Sequence, residues 1–371
     1  MKIAMAVPTL GFLGGLEQHA HQLALSLRAR GHWVALVHGG KEGRDPQAFA
    51  AAFDRVAALD APGSLRGVEA AWIHKAASVA ELLPFGDLPL AIAVHDHDLT
   101  CVRTSRTVPL GRTPCHRTPG AACLLQGCAV VTRRSPFVLR SRLAELAERG
   151  PLVACSRYLA GQLVAAGAAP GRVRVLHPLP PEDSRPLAPR PRTQSLLVAG
   201  QLVHGKGVDF AIEALAHLPE ATLEVAGDGP SRAALERQAR RRAPGRVRFH
   251  GAVAPERMAQ LYDAVSVVAV PSRWPEPFGM VGIEAMRRAR PVVAAAHGGI
   301  PEWAGAGTAL FQPGDPRDLA RAAAALLADA DAGDRALAHA RQVFPPQRPA
   351  EAVEALLLAL CSSRAPAREA R

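Results

Sequence analysis

Two carboxylates, Glu276 and Glu284, bracket the stretch Glu276-Pro-Phe-Gly-Met-Val-Gly-Ile-Glu284. Carboxylates accept hydrogen bonds from sugar hydroxyls. The segment between them, Phe278, Gly279, Met280 and Val281, reads as the start of a helix, whose unpaired N–H groups and partial positive charge suit a phosphate. Taken together, this is chemistry for a ligand that carries both phosphate and hydroxyls. The plainer alternative is that Glu284 complements the helix dipole and Glu276 is a solvated loop acid.

The elements that must position these groups read as strand, loop, helix, strand. Val265 to Pro271 is a short β-branched, apolar run of the kind buried in parallel sheets. Val281 to Arg290 is helical in pattern, and Pro291 to Ala296 reads as the next strand. The chemistry therefore falls at the carboxyl end of a strand, where open parallel sheets bind ligands. The same alternation recurs along the chain. Lys2 to Val7 reads as a strand leading into Thr9-Leu-Gly-Phe-Leu-Gly-Gly15, followed by a helix from Leu16 to Arg30 and a strand at Trp33 to Val37. Leu90 to Val94 reads as a strand ending in His95-Asp96-His97-Asp98. Residues 150–156 and 172–178 complete a first set, and after a proline-rich stretch the pattern restarts with strands near 195–200, 223–226 and 247–251. The predicted division is residues 1–180, a linker at 181–194, a second domain at 195–348, and a helix and tail at 349–371.

Glu276-x7-Glu284, with Pro271-Ser272 before it and Gly298-Gly299-Ile300-Pro301-Glu302 after it, resembles the donor-binding half of retaining glycosyltransferases of family 4. The resemblance implies an α/β protein of the GT-B fold: two Rossmann-like, doubly wound parallel-sheet domains facing a central cleft, with the last helix crossing back to the first domain. It implies transfer of a sugar from a nucleotide diphosphate sugar to an acceptor, with retention at the anomeric carbon and no metal required. By the same resemblance Glu284 holds the ribose and Glu276 contacts the transferred sugar. The amides of Phe278 to Val281 meet sugar and diphosphate, Lys206 neutralises the leaving diphosphate, and Gly15 (with Gly14) lets the backbone approach the donor. His95 takes the family's sugar-contacting place, although His97 or Asp96 is equally able to be the residue that points inward. The chain departs from the family at Gln201, which stands where an Arg is expected. A neutral amide loses the charge-assisted share of a phosphate contact, and Arg273 or His204 are the nearby candidates to compensate. The rival readings are a hydrolysing sugar-nucleotide epimerase of the same fold and a catalytically silent module that binds sugar nucleotides or anions.

Composition bounds the rest. With 371 residues, 49% of them hydrophobic, the chain is long enough for two cores. The charge is +11, and between Leu99 and Gly150 nine Arg stand against two Glu. Such an excess suits an anionic or lipid-linked acceptor, or contact with an anionic membrane, and equally an Arg-rich surface without a partner. Phe137 is the lone aromatic there, too few for a nucleic-acid stacking platform. Cys101, Cys115, Cys123 and Cys128 fall within 28 residues. A structural zinc and free buried thiols are both open readings, since no CxxC pair is present. The expected setting is the cytoplasm, with peripheral contact at the inner face of the membrane as a variant. No apolar run approaches the length that spans a bilayer.

Overall fold

The computed structural model describes residues 1–61, 63–108, 114–178 and 185–363. The chain divides into two compact units. The first is built on seven strands: β1 (Lys2–Leu10), β2 (Trp33–Glu42), β3 (Arg55–Ala58), β4 (Ala70–His74), β5 (Leu90–Val94), β6 (Leu152–Ala154) and β7 (Val173–Val175). They lie in the order β3-β2-β1-β4-β5-β6-β7, every paired neighbour parallel. The second unit has β8 (Ser195–Ala199), β9 (Thr222–Ala226), β10 (Val247–Gly251), β11 (Val267–Val270), β12 (Val292–Ala295) and β13 (Thr308–Phe311). Their order is β10-β9-β8-β11-β12-β13, again all parallel. Both are doubly wound sheets. In each, the order reverses beside the first strand, at β1/β4 and at β8/β11, so loops leaving those strands part and open a crevice at their carboxyl ends.

Local sequence explains the pattern. Strands β4, β5, β11 and β12 are buried at every residue and, apart from His74 closing β4, consist of apolar runs, as strands covered on both faces must. The helix Gly15–Ala29 buries Ala20, Leu23, Ala24 and Leu27 in the first core, at helical spacing. The terminal helix Arg348–Ser362 belongs to this same unit, placing Ala350, Val353 and Leu357 in its core. Its Glu354 accepts hydrogen bonds from Arg30 (Nε, 2.7 Å) and pairs with His32 (3.0 Å).

The proline-rich stretch, expected as a linker at 181–194, is fastened from Arg185 onward; its residues 179–184 lie outside the described residues. Arg190 donates to the carbonyls of Ser266, Leu326 and Asp329. Arg288 donates to the carbonyls of Arg185 and Pro186, and Arg290 to those of Ala188 and Pro189. Prolines offer no N–H of their own, so carbonyl-seeking guanidinium groups are the natural way to anchor such a segment.

Candidate active site

In the second unit the site grows from the loops after β8 and β11. Strand β11 hands over at Pro271 to Ser272, which is buried, and the chain turns through Trp274 to Glu276. The loop after β8 ends in a short turn, His204–Lys206, and docks on this segment. The amides of Arg273 (2.8 Å) and Trp274 (3.3 Å) both donate to the Gly205 carbonyl. Gly207 has φ +65°, and a Cβ there would fall 1.9 Å from the Pro271 carbonyl oxygen, so only glycine lets the loops meet. This close approach delivers Lys206 to Glu276.

Glu276 is 4% exposed, and three donors converge on its Oε1: Lys206 Nζ (2.7 Å), Ser272 Oγ (2.6 Å) and Trp274 Nε1 (3.0 Å). Burial by itself would raise this carboxyl, but the Lys206 charge and the three hydrogen bonds outweigh it and hold the group below the usual carboxylate range. Oε2 accepts no hydrogen bond from the protein among the described residues. A charged carboxylate with one oxygen saturated and the other open is oriented to accept from a ligand hydroxyl.

Glu284 repeats the arrangement with different chemistry. It lies in the helix Met280–Arg287, one residue earlier at its start than the sequence pattern indicated, and its Oε2 accepts from the Tyr262 hydroxyl at 2.9 Å. Burial pushes its carboxyl up, and the tyrosine bond only partly counters that. The helix opens at Gly279, which has φ +87° and carries no capping side chain, so the amides of Met280 and Val281 have no partner within the helix. Phe278 turns its ring into the core against Phe344, and its carbonyl accepts from the buried Trp303 indole at 2.6 Å. Backbone, not side chain, is what Phe278 offers. The Gly298-Gly299 pair has a clear structural reason. A Cβ on Gly298 would lie 2.4 Å from the Glu276 carbonyl oxygen, and Gly299 donates its amide to that same oxygen at 2.8 Å.

Gln201 is exposed, with no side-chain hydrogen bond among the described residues. Arg273 pairs with Asp209, and its guanidinium sits 3.6 Å over the Phe210 ring. It is therefore already committed within the unit.

In the first unit the helix after β1 opens at Gly14-Gly15, where Glu17 Oε2 accepts from the Gly14 amide at 2.9 Å. Gly14 is extended, and a Cβ there would meet nothing nearer than 3.9 Å, so the fold itself does not demand glycine. The same helix buries His19 against His74, at the end of β4, and His95, just after β5. His74 Nδ1 and His95 Nε2 are 2.9 Å apart, with rings nearly parallel and centroids at 5.1 Å. Such a short N···N contact at that centroid separation means the rings meet edge to edge, one imidazole donating its N–H to the other. Burial, first of all, lowers both imidazoles, His95 to about 4 and His74 well below its ordinary value. Of the alternatives at this strand end, His97 is buried against Tyr158 and Thr100, and Asp96 is paired with Lys75 at 2.6 Å. His95 remains as the side chain with a ring nitrogen, Nδ1, that takes no protein partner among the described residues.

The ligand atoms of His19, His74 and His95 lie within 4.8 Å of one another. A hydrogen-bonded imidazole pair points its nitrogens at each other, however, and cannot turn both lone pairs on one ion without rearranging. The four clustered cysteines are free thiols; Cys123, Cys128, Val102 and Leu139 share a small apolar cluster. Burial raises Cys101 and Cys128, and each is raised further by its neighbouring cysteines.

Tyr262, Trp274 and His74 are site residues that sequence reasoning missed. Each lies far along the chain from its partner or, like Trp274, has no spacing signal.

Residues 193–329 match the family Glycosyl transferases group 1. The chain is 36% identical over 164 residues to a glycogen synthase from Mycobacterium tuberculosis, covering 42% of this chain and 39% of that protein. It is 33% identical over 223 residues to D-inositol 3-phosphate glycosyltransferase 1 from Catenulispora acidiphila, covering 52% and 53%. The alignments thus span about half or less of these relatives. Among solved structures, HepE from Anabaena, in complex with UDP and glucose, superposes with a TM-score of 0.74 at 21% identity, over 97% of this chain and 100% of that one. With two Rossmann-like parallel-sheet units and this likeness, the chain has the GT-B fold, and its second unit carries a glycosyl transferases group 1 domain.

Proposed function

We propose that the protein is a retaining glycosyltransferase of family 4 that takes a sugar, of hexosyl type, from a nucleotide diphosphate donor. The observation that carries this reading is the half-saturated Glu276: its Oε1 holds three donors while Oε2 is open, beside an uncapped helix start at Met280. Glu276 Oε2 accepts from a hydroxyl of the transferred sugar, and Glu284 accepts from the ribose. The amides of Phe278 to Val281 receive the diphosphate. Lys206 supplies the positive charge that stabilises the departing diphosphate, with Gln201 as a neutral donor beside it. In the first unit Gly15 admits the donor backbone-close, and neutral His95 offers Nδ1 to the sugar. The acceptor oxygen bonds to the anomeric carbon on the face that the phosphate oxygen leaves, and the acceptor's proton passes to that departing oxygen. No protein nucleophile or metal is needed for that step. UDP-sugars are the first donors to try, because HepE binds UDP-glucose in its structure.

The acceptor belongs to an anionic or lipid-linked class, a reading supported by the arginine excess at 99–150. The four cysteines hold a structural zinc, a reading supported by their falling within 28 residues of sequence, and metal analysis expects about one equivalent per chain. The setting is the cytoplasm. Among the described residues no helix is long and apolar enough to cross a membrane.

The test is a thermal-shift screen of UDP-, GDP- and ADP-sugars, followed by detection of released nucleoside diphosphate with the best binder. Binding and turnover that both disappear in Glu276→Gln and Lys206→Ala support the reading. Binding without product under any acceptor supplied favours a silent module, and product without acceptor favours a hydrolysing enzyme.

A further inference from the structure

Three short helices in the first unit, Ala121–Leu125, Cys128–Thr132 and Pro136–Arg149, follow one another in the arginine-rich stretch. Their inner sides converge on one small cluster of Cys123, Cys128, Leu139 and Val102. What this leaves outside is unusual. Leu124 and Leu125, Val130 and Val131, and Phe137 and Val138 are three adjacent pairs of large apolar side chains, all exposed, with Leu125 at 89% and Val130 at 74%. The remaining exposed large apolar residues among those described are single and scattered, which is normal for a protein surface. Six within fifteen residues is a patch, and patches of this kind mark interaction sites.

The charge around the patch identifies the partner. Arg117, Arg133, Arg140 and Arg142 are exposed there. The acids of the segment, Glu145 and Glu148, lie towards the far end of the last helix, and Glu145 already accepts from Ser141. From this we infer that the outer face of these three helices docks on the surface of an anionic lipid bilayer. The apolar pairs enter the boundary between headgroups and acyl chains, and the arginines stay at headgroup depth against the lipid phosphates. A second copy of this chain fits less well, since a two-fold contact would set the same arginines against one another. The contact is interfacial and not spanning, because the longest of the three helices has 14 residues. It concerns docking and does not depend on the transfer chemistry.

The experiment measures co-sedimentation of the full chain with vesicles, without any sugar nucleotide. Vesicles of phosphatidylcholine alone are compared with the same lipid containing phosphatidylglycerol, at low and high salt. The wild type is expected to bind the anionic vesicles, and more weakly at high salt. The triple variant Leu125→Ser/Val130→Ser/Val131→Ser should bind roughly tenfold or more weakly. Arg133→Gln/Arg140→Gln/Arg142→Gln should lose the preference for anionic lipid. Because these side chains are exposed, both variants should keep the wild-type melting temperature. Leu83→Ser, at an equally exposed site outside the patch, should bind like wild type. Equal binding to both vesicle types, or unchanged binding by both triple variants, overturns the proposal. So does a wild type that ignores vesicles but elutes as a dimer broken by the serine variant.

Discussion

Glu276 in the second unit and His95 in the first are both largely enclosed, yet one is held ionised and the other neutral. Burial opposes charge in both places. Around Glu276 a lysine, a hydroxyl and an indole N–H all donate to one carboxylate oxygen, and their sum wins. Around His95 the nearest partners are other imidazoles and a lysine, with Asp96 already tied to that lysine, and burial wins. Charge state in this protein is decided by the partners that the fold brings up, not by depth. Glu284 is the intermediate case: one tyrosine hydroxyl is too little to offset its burial, and its carboxyl rises.

The strongest way to break this comparison is to remove the cation. Lys206→Met should destabilise the chain by about 3 kcal/mol, because Glu276 is left buried without its counter-charge. Urea unfolding measures it, and adding Glu276→Gln should recover part of the loss. The wild-type contribution of Glu276 has a defined pH sign. Its folded value is depressed, so the stabilisation is present above the ordinary carboxylate range and is lost as pH falls through the lowered value. Wild-type stability in Lys206→Met would mean the pair is not what keeps Glu276 charged.

Next in size is the imidazole pair. The unfolded chain binds protons at His95 near the ordinary 6.5, while the folded chain resists them until about 4. Stability should therefore decline as pH falls from 6.5 towards 4 and level off below, by on the order of 2–3 kcal/mol. His95→Gln should flatten that slope in a denaturation series; an unchanged slope would place the sensitivity elsewhere.

A smaller effect is expected at Glu284. Glu284→Ala should weaken donor binding by roughly 1–3 kcal/mol. In the wild type, affinity should fall on acidification at a higher pH than an ordinary glutamate would show, since the raised carboxyl protonates sooner. Tyr262→Phe removes the bond that restrains this rise, so the same loss should begin at still higher pH, as calorimetry across pH would reveal. The smallest effect on the fold is expected from Gln201→Arg. The side chain is exposed, so melting should not change, while donor binding should tighten severalfold and become more salt-sensitive. No change in affinity would show that position 201 does not face the phosphates.

Much of the frame was legible from residue patterns. Leu90–Val94 was read at its observed bounds and 195–199 within a residue, because strands buried on both faces need unbroken apolar runs. The strands 222–226 and 247–251, only partly buried, were read as closely from the strand–helix alternation and the glycines that end them. The strands Arg55–Ala58 and Ala70–His74 were not singled out, being short and, at 55–58, only half-buried and bracketed by turns. That omission hid His74. The proline count suggested a linker, but not how its described part is held: Arg190 within it reaches out to Ser266, and Arg288 and Arg290, distant in sequence, donate to its carbonyls.

The sequence by itself determined which groups are available: two glutamates flanking a helix start, Lys206-Gly207, the Gly298-Gly299 pair and a histidine closing a strand. It determined the alternating architecture as well, since periodicity and breakers are local properties of the chain. Only the tertiary structure decided which atoms these groups turn to one another. That Lys206, Ser272 and Trp274 share a single oxygen of Glu276, that Tyr262 holds Glu284, and that His74 and His95 are hydrogen-bonded are facts about segments distant along the chain that the fold brings together. Protonation follows from those contacts within a few ångströms, and no spacing along the chain encodes such a distance.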